Sequence, residues 1–235
     1  LLIKYFDFLN SKHIKKAIAI TDGVKKEYIN KKFINDDKIV VLPSGSSLKQ
    51  KKEIPIKKKS FKIGYFGSLY KSRGLELIKK LASIDKNNQY FLYGNLENLK
   101  YLKYKNLIKN LHFSNYIPYR DISKKMLEMD VLIIPYVSSI TVAGDVGDIT
   151  KFTSPLKLFD YLTTGKVIMC SDFKVLREVI SSKNAIFVKN FKSPNSWKME
   201  LKKLSNQYEK QLIISFNNLR LSKNYTLRER AKKII

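Results

Sequence analysis

The chain has 235 residues, 44% of them hydrophobic, with 46 Lys+Arg against 20 Asp+Glu for a net charge of +26. A chain of that length buries a real core in one or two domains; no apolar run is long enough to span a bilayer, and no secretory signal pattern opens it. A single cysteine, Cys170, leaves no disulfide framework and fits a cytoplasmic setting, while the charge favours polyanions: nucleotide, anionic lipid or nucleic acid.

Leu1 to about Lys16 reads as an amphipathic helix, with Leu2, Phe6 and Leu9 on its apolar side and Lys12, Lys15 and Lys16 on its basic side. A chain that opens on Leu1, inside a helical pattern, is expected to be a piece of a longer protein. Ala17 to Ile20 is a short strand, Thr21 and Asp22 cap a helix to about Phe33, and Lys38 to Leu42 is a second strand closed by Pro43, Ser44 and Gly45. Lys49 to Ser60 is lysine-rich, carries Pro55 and has no period, so it reads as a linker or a long surface loop.

From Phe61 onward strands and helices alternate. Strands are expected at Phe61 to Phe66, Gln89 to Tyr93, Leu111 to Phe113, Val131 to Ile134, Val167 to Cys170 and Ala185 to Val188. Helices are expected after Gly74, after Asn95, at Arg120 to Glu128, after Ser154 and from about Lys174, with helical pieces from about Ser193 to the end. Alternation of this kind implies an α/β fold: a Rossmann-like parallel sheet with helices on both faces.

Three places could carry chemistry. Gly67 to Gly74 follows a strand and precedes a helix, so its backbone N–H groups, with Ser68, could wrap a phosphate while Arg73 adds charge. Ser154 is a good N-cap and Pro155 suits the first helical position. With Leu156 and Lys157 they form a helix start that suits an anion, and Asp160, one turn on, could hold a pair of sugar hydroxyls. The polar loop Val137 to Lys151, with Gly144, Asp145, Gly147 and Asp148, is long enough to close over a ligand. Asp145 and Asp148 match no standard metal spacing and read as solvated loop residues. His13 and His112 are isolated and read as structural, and no catalytic triad or zinc pattern is present.

Taken in order, these pieces resemble the retaining GT-B glycosyltransferases of the GT4 type, the glycosyl transferases group 1, and mainly their C-terminal donor-binding domain. The most specific stretch is Ser154-Pro155-Leu156-Lys157-Leu158-Phe159-Asp160-Tyr161. The resemblance implies residues 1–48 as the truncated end of an N-terminal acceptor-side domain, 49–60 as linker, 61–212 as the nucleotide-sugar-binding domain, and 213–235 as helices packing back toward the first domain. It implies donor diphosphate on Gly67, Ser68, Arg73, Ser154, Pro155, Leu156 and Lys157. Ribose and base are implied on Asp160, Gly94, Asn95, Pro118 and Tyr119, and the donor sugar near Tyr136 and Thr153. Tyr136 reads equally well as packing at the edge of the core. Asp160 stands one methylene shorter than the family's second glutamate, and the first glutamate's place is taken by Phe152.

The implied activity is transfer of a sugar from a nucleotide-diphosphate sugar to a glycan or lipid-linked acceptor, as in cell-envelope polysaccharide biosynthesis, with no metal or other cofactor. Whether the chain turns over the donor it binds stays open, as do catalytic residues. A sugar-nucleotide epimerase of the same fold and a basic, non-catalytic binding module are the alternatives. Nucleic acid is not expected as a partner, for want of any recognition motif; contact with an anionic membrane at the cytoplasmic face is.

Overall fold

Two parallel sheets organise the computed structural model, which describes residues 7–51, 53–69, 73–96, 107–137 and 147–234. Leu2 and Phe6, the helix expected after Asn95 and most of the polar loop, with Gly144 and Asp145, lie outside these residues. The smaller sheet pairs β1 (Ala17–Ala19) with β2 (Ile39–Val41), and α1 (Asp22–Asn30) connects them. Thr21 caps α1 by accepting the Val24 N–H at 3.2 Å. Ala19, Ile34 and Ile39 form a small core, against which Leu9, Val24 and Tyr28 pack.

The first helix is shorter than its pattern suggests. Residues 7–10 are helical, and the Ser11 N–H then bonds the Phe8 carbonyl, closing a turn. Lys12, Lys15 and Lys16 therefore follow the helix rather than line one of its faces. Leu9 faces the small core. The chain is held in this turn by Lys38, whose ammonium donates to the carbonyls of Ser11 and Ile14 at 3.2 and 2.8 Å.

The larger sheet has six strands, β3 (Lys62–Phe66), β4 (Gln89–Tyr93), β5 (Leu111–Ser114), β6 (Val131–Ile134), β7 (Val167–Ser171) and β8 (Ala185–Val188). They are all parallel, in the order β5-β4-β3-β6-β7-β8. Both faces are covered, so the central strands read as unbroken apolar runs; every residue of β6 and β7 is buried. One face packs on α2 (Leu75–Ile84) and α6 (Pro194–Ser205), through Ile78, Leu81, Trp197 and Leu201. The other packs on α3 (Tyr119–Leu127) and α4 (Leu156–Thr164), through Met126, Leu158 and Leu162. The expected α/β sheet is thus the observed one. The helix expected from Lys174 is only one turn, α5 (Lys174–Arg177). Cys170 lies fully buried in β7, and burial pushes its thiol well above the usual range.

Two segments bind the lobes together. Residues 46–51 and 53–55 run along α4 and α7 (Tyr208–Ser222): the Lys51 N–H bonds the Thr163 carbonyl at 3.1 Å, Gln50 donates to Leu219 and Ser222, and Tyr208 donates to the Pro55 carbonyl. The α7 helix runs unbroken through residues 212 and 213. Beyond it the chain crosses back. Thr226 forms a parallel bridge with Ser46, α8 (Leu227–Lys232) follows, and Arg230 donates to the Pro43 carbonyl at 3.1 Å.

Gly74 sets the entry to α2. It has φ +86°, and a Cβ there would lie 1.8 Å from the Pro135 carbonyl oxygen. Gly74→Ala adds left-handed strain to a backbone clash, so a loss of about 1–3 kcal/mol is expected, read as a lower midpoint in urea unfolding.

Candidate functional site

The sheet opens where its strand order reverses. β3 and β6 pair only at Ile63↔Val131 and Gly64↔Leu132, and beyond that point they separate. The Phe66 N–H, left without a strand partner on that side, donates to the Tyr161 hydroxyl at 3.0 Å. Crevices outside the carboxyl ends of parallel strands at such a reversal are where α/β sheets bind ligands. Here the crevice is a cleft of about 410 Å³.

Its floor is built from β3. Gly67 has φ +142°, and its N–H donates to the Tyr93 carbonyl at 2.9 Å. Tyr65, fully buried, donates its hydroxyl to the Ser68 carbonyl at 2.7 Å and accepts from the Lys157 ammonium at 2.9 Å. One phenol thus fixes both the glycine turn and the lysine beside it. A Cβ on Gly67 would come within 2.9 Å of Lys157 Nζ. Burial, and then the charge of Arg73, bring the Lys157 ammonium down to about 7. Arg73 lies across the same cleft, its guanidinium 5.6 Å from the ring centre of buried Tyr136.

The helix start differs from the expected one. α4 begins at Leu156 with Pro155 in the cap position, and no side chain caps it. The Ser154 hydroxyl accepts instead the Ser44 N–H at 3.3 Å, because the turn after β2 lies against it. Ser154, Pro155 and Leu156 still line the cleft with Lys157. Thr153 lines it too, and its hydroxyl has no hydrogen-bond partner among the described residues.

Asp160, on the next turn of α4, also lines the cleft. Its Oδ1 accepts from Ser46 Oγ at 2.5 Å and from Tyr119 Oη at 3.0 Å. Burial raises its carboxyl above the usual range, and the two hydroxyls pull it back.

Gly94, Asn95 and Pro118 do not line the cleft. Gly94 supports the floor from behind: a Cβ there would lie 2.3 Å from the Gly67 carbonyl oxygen. Pro118 precedes α3 and presents Tyr119. The apolar wall was not read from the sequence. Phe66 stacks on Tyr93 with centroids 4.6 Å apart, and Ile122 and Met126 face the same space, four residues apart on α3. Tyr116, 67% exposed, stands at its rim. The i, i+4 spacing on α3 was the available signal, and it reads equally as core.

The histidines and Asp148 stand apart from the cleft. His13 is exposed, and His112 stacks on Phe91 and bonds Gln89. Asp148 accepts the Thr150 N–H at 2.9 Å, and bonds to Thr150 hold its carboxyl below the usual range. Among the described residues no three His, Cys, Asp or Glu side chains cluster as a metal site.

Strand order and cleft together define a Rossmann-like domain with its crevice at the reversal of strand order. The chain belongs to the family described as glycosyl transferases group 1, which matches residues 46–220. No curated protein matches it. Solved structures do at the level of fold. The Anabaena protein Alr3699/HepE, in complex with UDP, is 13% identical with TM-score 0.71, and the match covers 94% of this chain and 62% of that one. A sucrose-phosphate synthase of Thermosynechococcus elongatus is 12% identical with TM-score 0.71, covering 99% and 59%. TarM is 12% identical with TM-score 0.69, covering 98% and 45%. The chain therefore spans about half to three fifths of the length of these structures.

Lys157 gives the cleft a pH dependence. An anion beside it favours the ammonium, so binding takes up a proton once the free lysine is neutral, above about pH 7. Affinity for inorganic pyrophosphate is expected to fall as pH rises from about 6 to about 9. Calorimetry in buffers of different ionisation heat measures the uptake. Uptake that persists in Lys157→Met would place the titrating group elsewhere.

Proposed function

We propose that this chain is the donor-binding part of a retaining glycosyltransferase of the GT4 type, taking a hexose from a nucleoside-diphosphate sugar to a glycan or lipid-linked acceptor in cell-envelope polysaccharide biosynthesis. One observation carries the reading. Two cations, Arg73 and Lys157, and one carboxylate, Asp160, meet in a single cleft beside a glycine turn. Diphosphate suits the cations, and ribose hydroxyls suit the carboxylate one helical turn away. The apolar wall of Phe66, Tyr93 and Met126 suits a base. Thr153, whose hydroxyl has no partner among the described residues, and Tyr136 suit the sugar side.

In such a transfer the glycosidic carbon–oxygen bond breaks and negative charge builds on the leaving diphosphate. Arg73 and Lys157 would stabilise that charge, the task a metal performs elsewhere, so the proposal requires none. The Anabaena relative's complexes with UDP and with UDP-glucose support a uridine donor as the first to try. Removing either cation should cost about 1.5–3 kcal/mol of affinity for UDP or GDP. Calorimetry on Lys157→Ala and Arg73→Ala checks it; unchanged affinity in both variants rejects the site.

The proposal includes a cytoplasmic location with the basic surface drawn to an anionic membrane. No helix among the described residues is long and apolar enough to cross one. The first helix lends this little support, since Leu9 packs inward. The linker supports it better: Ile54 and Ile56 are 63% and 69% exposed, among Lys51, Lys57 and Lys59. Co-sedimentation with anionic vesicles is expected at low salt, fading as salt rises and weakened in Ile54→Ser with Ile56→Ser. A chain that stays in the supernatant at low salt has no such contact.

A further inference from the structure

We propose that Ser46 is a positioning residue for nucleoside recognition: it orients the Asp160 carboxylate and thereby couples the ribose site to the crossing of the segment after β2 with the C-terminal tail. The inference rests on the donor-site reading above and extends it to a residue outside the cleft.

The direction of each hydrogen bond is determined by the partners present. Ser46 Oγ accepts the Leu48 N–H at 3.0 Å, so its one proton is directed to Asp160 Oδ1, 2.5 Å away. Tyr119 is arranged in the same way: its hydroxyl accepts from Ser47 Oγ at 3.3 Å and donates to the same Oδ1 at 3.0 Å. Neighbouring serines of one segment therefore act on one carboxylate oxygen, Ser46 directly and Ser47 through Tyr119. Asp160 Oδ2 takes no hydrogen bond from the described residues. The carboxylate is turned so that one oxygen is saturated by the protein and the other keeps its lone pairs for a ligand in the cleft it lines.

Ser46 cannot itself touch that ligand, being 3% exposed. Its backbone is clamped as well. The Ser46 N–H donates to the Tyr225 carbonyl at 2.8 Å, and its carbonyl accepts the Leu227 N–H at 3.1 Å. The hydroxyl is thus held in place by a parallel bridge between the segment after β2 and the returning tail. Asp160 is one methylene shorter than glutamate, and a short carboxylate has one fewer torsion with which to find a diol. A buried donor behind it fixes the orientation of that shorter side chain.

The test uses the full chain with UDP, GDP and inorganic pyrophosphate as ligands in calorimetry. Ser46→Ala is expected to weaken the nucleoside diphosphate roughly tenfold while pyrophosphate binds as before; unchanged pyrophosphate also shows that the cleft is intact. Without the Ser46 proton, Asp160 keeps only Tyr119 as a donor, with Tyr161 the other titratable group coupled to it. Its carboxyl then protonates more easily, so the acid limb of nucleoside-diphosphate binding moves to higher pH. A purely structural role would leave that limb in place. Ser46→Thr, which keeps the hydroxyl, is expected to hold the wild-type limb. Equal loss of both ligands in Ser46→Ala, or no loss of either, overturns the proposal. If Asp160→Asn loses the nucleoside diphosphate and Ser46→Ala does not, only the role of Ser46 falls. If the wild-type chain binds neither nucleoside diphosphate, the donor site falls with it.

Discussion

The structure turns on one backbone N–H. Parallel strands that reverse order must part, and beyond Gly64 and Leu132 β3 and β6 lose each other as ladder partners while each stays paired on its outer side. A buried peptide N–H without a partner costs as much as a lost hydrogen bond. The Tyr161 hydroxyl meets that need at Phe66, from α4. That single contact draws the helix carrying Lys157 and Asp160 against the end of the strand carrying Gly67. The cleft is what remains between them, with Lys157 and Asp160 brought to it by α4.

Below that contact, Tyr65 does for side chains what Tyr161 does for backbone. Its phenol is buried, so burial raises its pKa and keeps it neutral, and a neutral hydroxyl both gives and takes a hydrogen bond. It gives to the Ser68 carbonyl and takes from Lys157. An ammonium held against a ring and beside a guanidinium is poorly solvated, and that is why it is poised to titrate near neutrality rather than staying charged. The lysine is a conditional cation, and an anionic ligand supplies the condition.

Much of the fold was legible because its signals are local. The apolar runs at Val131 to Ile134 and Val167 to Cys170 could hardly be other than buried parallel strands, and Gln89 to Tyr93 matches its strand residue for residue. The glycine turn, Arg73, Lys157 and Asp160 were legible as a set, and they share one cleft. Roles that depend on contacts distant in sequence were not. Ser154 has the chemistry of a cap, but a backbone N–H from Ser44, 110 residues away, takes its hydroxyl. Gly94 reads as a ligand turn, whereas a neighbouring loop needs its missing side chain. Tyr65 and Ser46 carry no signal at all, since a tyrosine in a strand and a serine in a turn are ordinary. The first helix misled through its own amphipathicity: the pattern ran on past Asn10, and the ammonium of Lys38 ended it.

Cys170 gives the molecule a built-in clock. It is the sole thiol of the chain, it lies fully buried in β7 beside β6, the strand that bounds the cleft, and burial keeps it protonated. Such a sulfur is chemically silent while β7 stays paired and reacts only in the moments when the sheet opens. The rate at which a thiol reagent consumes it is therefore the opening rate of the sheet or its equilibrium population, depending on reagent concentration. A ligand that bridges Gly67 and Lys157 joins the two halves of that sheet across the gap between β3 and β6, so occupancy of the cleft would slow the clock without touching the sulfur.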